Sequence, residues 1–146
     1  KVIFSNGFTD SGHPVAMAAA NATLDFIENN NLLDHVKKIV PYFQSKLSDL
    51  IDLPIVGDVR GDGLMAAVEC VIDKEKRDPL NLQYEIASRI NEHCQNLGLI
   101  VRPLFNTCVM SPSLIIEEAE IDELVRILKE GIILATEDIK KEGLWS

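Results

Sequence analysis

The sequence predicts an α+β domain in which a small, mainly antiparallel sheet is covered by helices, and three observations lead there. Apolar residues recur at spacings of three and four after Pro14, Leu32 and Glu117, which marks amphipathic helices. Residues 55–72 and 99–111 instead show alternation or short apolar runs bounded by glycine and proline, as strands do. The resulting order of helix, helix, hairpin, helix, strand, strand, helix segregates strands from helices in the manner of α+β folds.

The chain has 146 residues, 47% of them hydrophobic, enough for one domain with a real core. Its formal net charge of -9 argues against nucleic acid and anionic membrane surfaces as partners, because both demand a basic face. Cys70, Cys94 and Cys108 are odd in number and widely spaced, without a CxxC pair, so reduced thiols packed in the core of a cytoplasmic protein are expected. His13, His35 and His93 are scattered and form no ligand spacing, so no metal is expected. No signal peptide, bilayer-spanning apolar run or internal repeat is present. A first residue of Lys leading into Val2-Ile3-Phe4, a short run that reads as a strand, suggests a piece of a longer polypeptide.

Residues 4–20 form a polar, glycine-punctuated loop that runs into a small-residue helix. Gly7 and Gly12 permit tight turns, and Pro14 suits the first helical position. Unpaired N–H groups at such a helix start, helped by the Thr9 and Ser11 hydroxyls, can face a phosphate or carboxylate. The same residues also read as a capped loop-to-helix turn, the reading that spacing alone favours. The helix continues to about residue 30, with Val15, Ala18, Ala19, Ala22 and Phe26 on one face, until Asn29-Asn30-Asn31 interrupts it. Its alanines suit close approach to another backbone.

Leu32, Val36, Ile39, Phe43, Leu47 and Leu50 mark a second helix, in which Pro41 predicts a kink or a division into two. Residues 55–60, a turn at Gly61-Asp62-Gly63, and residues 64–72 read as a hairpin. On its second strand Leu64, Ala66, Val68, Cys70 and Ile72 are expected to face one way, and Met65, Ala67, Glu69 and Val71 the other. Residues 73–78 form a solvated, mixed-charge loop. Asp78 and Pro79 are expected to cap and open a third helix, with Leu82, Ile86, Ile90 and Leu97 buried, His93 at its edge, and Gly98 ending it. Residues 99–103 and 106–111 predict two short strands, the first stopped by Pro103. The last helix follows Glu117, with Ile121, Leu124, Val125, Leu128, Ile132, Ala135 and Ile139 as its stripe. Glu117, Glu118 and Glu120 suit its positive end and Lys140 and Lys141 its negative end. Residues 143–146 are expected to fray unless Trp145 docks.

Gly7-Phe8-Thr9-Asp10-Ser11-Gly12-His13-Pro14-Val15-Ala16 resembles the segment that follows the catalytic lysine region in class III, pyridoxal-phosphate-dependent aminotransferases. Val59-Arg60-Gly61-Asp62-Gly63-Leu64-Met65, Gly98-Leu99-Ile100-Val101-Arg102 and Ser111-Pro112-Ser113-Leu114-Ile115-Ile116 resemble three further family segments in the same order. The resemblance implies the C-terminal part of a fold-type-I enzyme. Residues 1–30 would be the phosphate-contact loop and connecting helix from the edge of the large domain, and residues 31–146 the C-terminal small domain. It implies that Phe8 and Thr9 lie against the phosphate of pyridoxal phosphate bound to the neighbouring subunit of a homodimer. It also implies that Arg102 takes the substrate carboxylate in members that use pyruvate. A guanidinium at a strand end can fork two hydrogen bonds to a carboxylate, while without the resemblance Arg102 reads as an exposed or salt-bridged arginine. Three positions depart from the family pattern: Asn6 stands where His is frequent, Asp10 where Tyr is, and Ser113 in place of a second proline. A carboxylate at Asp10 repels a phosphate unless it points away or caps the helix.

The implied activity is transfer of an amino group from an amine or ω-amino acid to a keto acid such as pyruvate. The family's cofactor-binding lysine lies upstream of the first motif, so no catalytic residue is assigned here and the chain alone is expected to be inactive. A related aminomutase, or a non-enzymatic α+β binding or oligomerisation domain, remains compatible with the same residues. Excised from such a parent, the chain would expose apolar surface and self-associate.

Overall fold

The computed structural model describes residues 3, 7–76, 78, 79 and 85–145, and the chain divides into two compact units, Lys1–Asp34 and His35–Ser146. Of the first expected strand, Val2 and Phe4 lie outside the described residues, as do Asn6, Arg77 and Leu82; Ile3 belongs to no regular element.

In the first unit, Pro14 opens α1 (Pro14–Asn29), and the preceding His13 is its cap, with Nδ1 accepting from the Ala16 N–H at 3.4 Å. Asp10 is therefore not the cap. The asparagines end the helix as expected: the Asn30 side chain donates to the Phe26 carbonyl at 2.8 Å, and Asn31 adopts a left-handed φ of 50°. No side chain of α1 is buried.

α2 (Leu32–Ser48) runs through Pro41 without a break, so the expected division into two helices does not occur. Ile39 on one side of the proline and Phe43 and Leu47 on the other are all buried, and that anchorage outweighs one missing N–H bond. A short 3-10 turn (Asp49–Asp52) then leads to β1 (Val56–Asp62) and β2 (Met65–Asp73), an antiparallel pair. Asp62 pairs with Met65, which places the turn at Gly63 and Leu64 rather than at residues 61–63. Gly63 takes the left-handed φ of 59° that such a turn requires, and Gln44 Nε2 donates to its carbonyl at 2.8 Å. Gly61 is a strand residue whose lack of a side chain serves packing, as argued in the Discussion.

On β2 the expected alternation holds from Leu64 to Cys70 and then fails, with Val71 buried and Ile72 exposed. The pairing slips at Gly57, between Val56 opposite Cys70 and Asp58 opposite Glu69. A side chain at Gly57 would collide with the Val71 methyls, so the bulge and the inward turn of Val71 require each other.

The third helix also differs from expectation. Asp78 and Pro79 form β3 (Asp78–Pro79) against the end of β2, and α3 (Ile86–Asn96) starts seven residues later than Pro79. Its buried stripe is Ile86, Ala87, Ile90 and Cys94, and Gly98 at φ 97° follows its end as expected. β4 (Arg102–Leu104) contains Pro103 rather than stopping at it, and residues 99–101 precede the strand. The sheet order β1-β2-β5-β4, completed by β5 (Thr107–Met110), makes β4 an edge, where a proline without an N–H is tolerated.

α4 (Glu118–Lys141) begins with a reciprocal capping box between Glu117 and Glu120 and buries Ile121, Leu124, Leu128, Ile132, Ala135 and Ile139. It crosses α3 at Gly131, where an added Cβ would lie 2.5 Å from Cys94 Sγ. Helices cover the sheet face that carries Ala66, Val68, Cys70, Cys108 and Met110, all buried. The three thiols are free and buried; burial pushes Cys70 up to about 12 and Cys94 up to about 11, and raises Cys108 as well, so they pack as apolar groups. Trp145 docks, with Nε1 donating to the Ile72 carbonyl at 3.4 Å and the Lys140 ammonium 4.8 Å from its ring centre.

Arg89 on α3 forms a two-pronged pair with Glu142 just past α4, at 2.6 and 2.9 Å. Hydrogen bonding to Arg89 holds the Glu142 carboxyl below the usual range, and Lys46 does the same for Asp122. A lowered folded-state pKa means that the unfolded chain binds more protons in acid. The stabilisation is therefore complete above the ordinary carboxylate values of about 4 and is lost as pH falls through the lowered ones. Thermal melts should show Tm falling between about pH 5 and pH 3, with a shallower fall for Glu142→Gln. An identical pH profile in that variant would show that the pair contributes nothing.

Candidate functional site

The loop of residues 7–13 is held by its own short bonds. Ser11 N–H donates to the Phe8 carbonyl at 3.0 Å, Phe8 N–H donates to Ser11 Oγ at 3.2 Å, and His13 N–H donates to the Asp10 carbonyl at 3.3 Å. Gly12 turns the chain at φ 78°. Ser11 is thus a turn-forming residue, which leaves Thr9 as the hydroxyl without a hydrogen bond among the described residues. The N–H groups of Thr9 and Gly12 likewise make no bond among them. Phe8 is 77% exposed. A free hydroxyl, free backbone donors and an α-helix without acidic residues in its first turn make a donor set that fits a phosphate group. Asp10 lies within this loop, exposed and without an ion pair among the described residues.

The second candidate lies on the sheet. Residues directly opposite one another across antiparallel strands share a face, so the pairings Arg60–Ala67, Ala67–Val109 and Val109–Arg102 set these four in one row on the face away from the helices. The adjacent row on the same face is Asp58, Glu69, Thr107 and Leu104. Arg102, at the edge-strand end, is exposed and has no ion pair or hydrogen bond among the described residues. It borders a groove of about 480 Å³ lined mostly by apolar groups, among them Leu99, Ile100, Val109, Met110 and Leu124. A free guanidinium beside an apolar wall can take one carboxylate by two parallel hydrogen bonds while the rest of the molecule lies on hydrocarbon.

Arg60, at the other end, is engaged. Its Nη1 contacts Asp58 Oδ2 at 2.9 Å and Glu69 Oε2 at 2.5 Å, and those bonds, Asp58 first, raise its pKa. Glu69, half-buried on β2, is thus an ion-pair partner of Arg60. A shallower groove of about 230 Å³ lies over Arg60, Met65, Ala67 and Val109.

The histidines all serve local structure. His13 caps α1, His35 Nε2 sits 2.9 Å from the Ile116 carbonyl, and His93 Nε2 sits 2.7 Å from Asp138 Oδ2. Ser113 shapes a turn in which Ile116 N–H donates to its carbonyl at 3.1 Å. Sequence reasoning missed Asp58 and the apolar floor of Ala67 and Val109. Alternation on β2 separates Ala67 from the core-facing residues, but only the register sets it beside Val109.

Residues 2–132 match the family model described as aminotransferase class-III. The chain is 34% identical over 143 residues to an uncharacterized aminotransferase, y4uB, of Sinorhizobium fredii, covering 96% of this chain and 31% of that protein. It is 38% identical over 135 residues to gamma-aminobutyrate transaminase 1, mitochondrial, of Oryza sativa subsp. indica, covering 92% of this chain and 26% of that one. A solved aminotransferase from Vibrio fluvialis in its PMP-bound form superposes with a TM-score of 0.86 at 35% identity, over 94% of this chain and 30% of that chain. The chain spans between a quarter and a third of the length of these relatives.

Proposed function

The chain belongs to the class III aminotransferase family, and from that premise we propose that it forms the phosphate-contact and carboxylate-recognition part of a pyridoxal-phosphate-dependent aminotransferase. The enzyme would move an amino group from an amine or ω-amino acid to a keto acid such as pyruvate. Residues 1–30 would belong to the edge of a large domain and residues 31–146 to a small one. The donor's amine carbon is oxidised to a carbonyl as the acceptor's carbonyl carbon is reduced to an amine, so no external oxidant is needed. The observation that supports this reading most is Arg102, a guanidinium without an acidic partner among the described residues at the mouth of an apolar groove.

The named parts have distinct tasks. Thr9 would hold the cofactor phosphate by a hydrogen bond from its hydroxyl, the loop N–H groups would add further donors, and Phe8 would lie against the same phosphate. Their target would be the cofactor of the neighbouring subunit, which would make the functional unit a homodimer. Arg102 clamps the substrate carboxylate and so fixes where the amino-bearing carbon stands, while the apolar wall excludes water from that end. When bound, pyridoxal phosphate supplies the electron sink that acidifies the C–H bond at that carbon. The proton-moving lysine is not assigned to this chain, which by itself should show no turnover.

The test uses the full-length protein that carries this sequence. Thr9→Ala should weaken pyridoxal phosphate binding, followed by cofactor absorbance, by about tenfold or more, the worth of one charge-assisted hydrogen bond. Unchanged affinity in the variant would remove Thr9 from the site, and absence of cofactor binding in the native protein would remove the whole reading.

A further inference from the structure

The described residues of the first unit include Asp10, Asp25, Glu28 and Asp34 but neither lysine nor arginine. A phosphate at the loop of residues 7–13 is therefore met, within this unit, by neutral donors alone: the Thr9 hydroxyl and backbone N–H groups. His13 adds no cation to them, because its Nδ1 accepts from the Ala16 N–H at 3.4 Å, the role of a neutral ring.

Asp10 is the acidic residue set among those donors. The bond from Ser11 N–H to the Phe8 carbonyl at 3.0 Å closes a four-residue turn with Thr9 and Asp10 as its two central residues, so both side chains leave one tight corner. An aspartate before a helix ordinarily spends its carboxylate as the cap, but that place is held by His13. Only the backbone carbonyl of Asp10 is engaged, by the His13 N–H at 3.3 Å. Its carboxylate is exposed and makes neither a hydrogen bond nor an ion pair among the described residues. The charge is thus spent on nothing within the loop and stands beside the phosphate donors.

We propose that Asp10 is an affinity-setting residue, whose charge weakens the hold of this loop on the cofactor phosphate and leaves the cofactor readily exchanged. The inference rests on the reading of Thr9 as a phosphate donor. Neighbouring Cα atoms are about 3.8 Å apart, which puts on the order of 8 Å between the Asp10 carboxylate and a phosphate bonded to Thr9. At that range one unit charge opposes a phosphate dianion about fivefold in water of low ionic strength. The penalty falls below about twofold once salt near 0.5 M shortens the screening length to about 4 Å. The amine form of the cofactor, which no covalent bond ties to the protein, depends most on such contacts.

The test titrates the full-length apoprotein by calorimetry with pyridoxamine 5'-phosphate and with pyridoxamine, which lacks the phosphate. In about 20 mM salt Asp10→Asn should tighten the phosphorylated ligand about threefold to fivefold. Pyridoxamine affinity, whether weak or undetectable, should be the same in both proteins. In about 0.5 M salt the gap between native protein and variant should close to less than about twofold. Asp10→Ala removes the charge without adding an amide donor and should repeat each result. Neither change removes a side-chain bond seen in the loop, and the backbone carbonyl that accepts from His13 is kept. The proposal is overturned if Asp10→Ala leaves pyridoxamine phosphate affinity unchanged or lowers it, if pyridoxamine gains equally, or if the gap persists in high salt. A cation from elsewhere in the full-length protein that engages Asp10 would produce the first of these outcomes. Thr9→Ala separates the two levels. Unchanged pyridoxamine phosphate affinity in that variant removes the phosphate reading itself, whereas a loss there with no gain from the Asp10 variants removes only the affinity-setting role.

Discussion

Replacing Arg102 by methionine in the full-length enzyme is expected to raise the KM for pyruvate on the order of 100-fold, the worth of a forked, charge-assisted pair of hydrogen bonds. Methionine keeps the apolar stem and removes the charge, so the change reports recognition rather than lost packing. Arg102 lies exposed at the end of the edge strand, without an ion pair among the described residues to break, and the thermal midpoint should hold within a few degrees. The contrast between substrates is the sharper readout. A donor amine without a carboxylate has nothing to lose at Arg102, so its half-reaction should fall far less than the pyruvate half-reaction. Arg102→Lys should recover only part of the loss, because an ammonium supplies a point charge and not a planar fork. Equal losses for acidic and carboxylate-free substrates would show that Arg102 supports structure and does not bind substrate.

Gly61→Val should destabilise the His35–Ser146 unit by about 3 kcal/mol or more. A Cβ at residue 61 would overlap the Met65 carbonyl oxygen and stand 2.9 Å from the Ala66 Cα and 3.0 Å from Gln44 Nε2. Two of those three atoms are backbone of the paired strand, which cannot yield without opening the hairpin. The neighbouring Gly63 is a useful contrast, since nothing lies within 4 Å of its added Cβ and only its φ of 59° resists substitution. Gly63→Ala should therefore cost about 1 kcal/mol. Urea unfolding of both variants measures the difference. Similar midpoints would mean that the strand moves aside, and the close packing of β1 on β2 would lose its importance for stability.

These two glycines also show how far a sequence can be read. Both were expected in a turn, because Gly-Asp-Gly between two apolar runs carries turn chemistry. Only the pairing of Asp62 with Met65 separates their roles, one set by close packing and the other by backbone angle. Val71 and Ile72 teach the same lesson, since alternation from Leu64 assigned their faces the wrong way round. The cause sits on the partner strand, in the bulge at Gly57. At Asp78 and Pro79, cap-like chemistry pointed to a helix, and a strand end close enough to pair took precedence. Pro41 was expected to kink or divide α2, and buried side chains on both sides of it keep the helix continuous.

The sequence by itself determined the α+β class, the order of the elements apart from β3, the buried stripes of α2 and α4, Ile86 and Ile90 of the stripe of α3, the ends of α1 at Pro14 and Asn29, and the burial of all three cysteines; Leu97, expected in the α3 stripe, is only half-buried. Those features follow from local periodicity, capping chemistry and hydrophobicity, which neighbouring residues carry among themselves. The family, too, was legible, through four short motifs in order. The tertiary structure decided the register that places Arg60, Ala67, Val109 and Arg102 in one row, the ion pairs that tie Arg60 to Asp58 and Glu69, and the docking of Trp145. Each of these depends on residues far apart in the chain, and a shift of one residue in strand pairing would turn the same side chains to the opposite face.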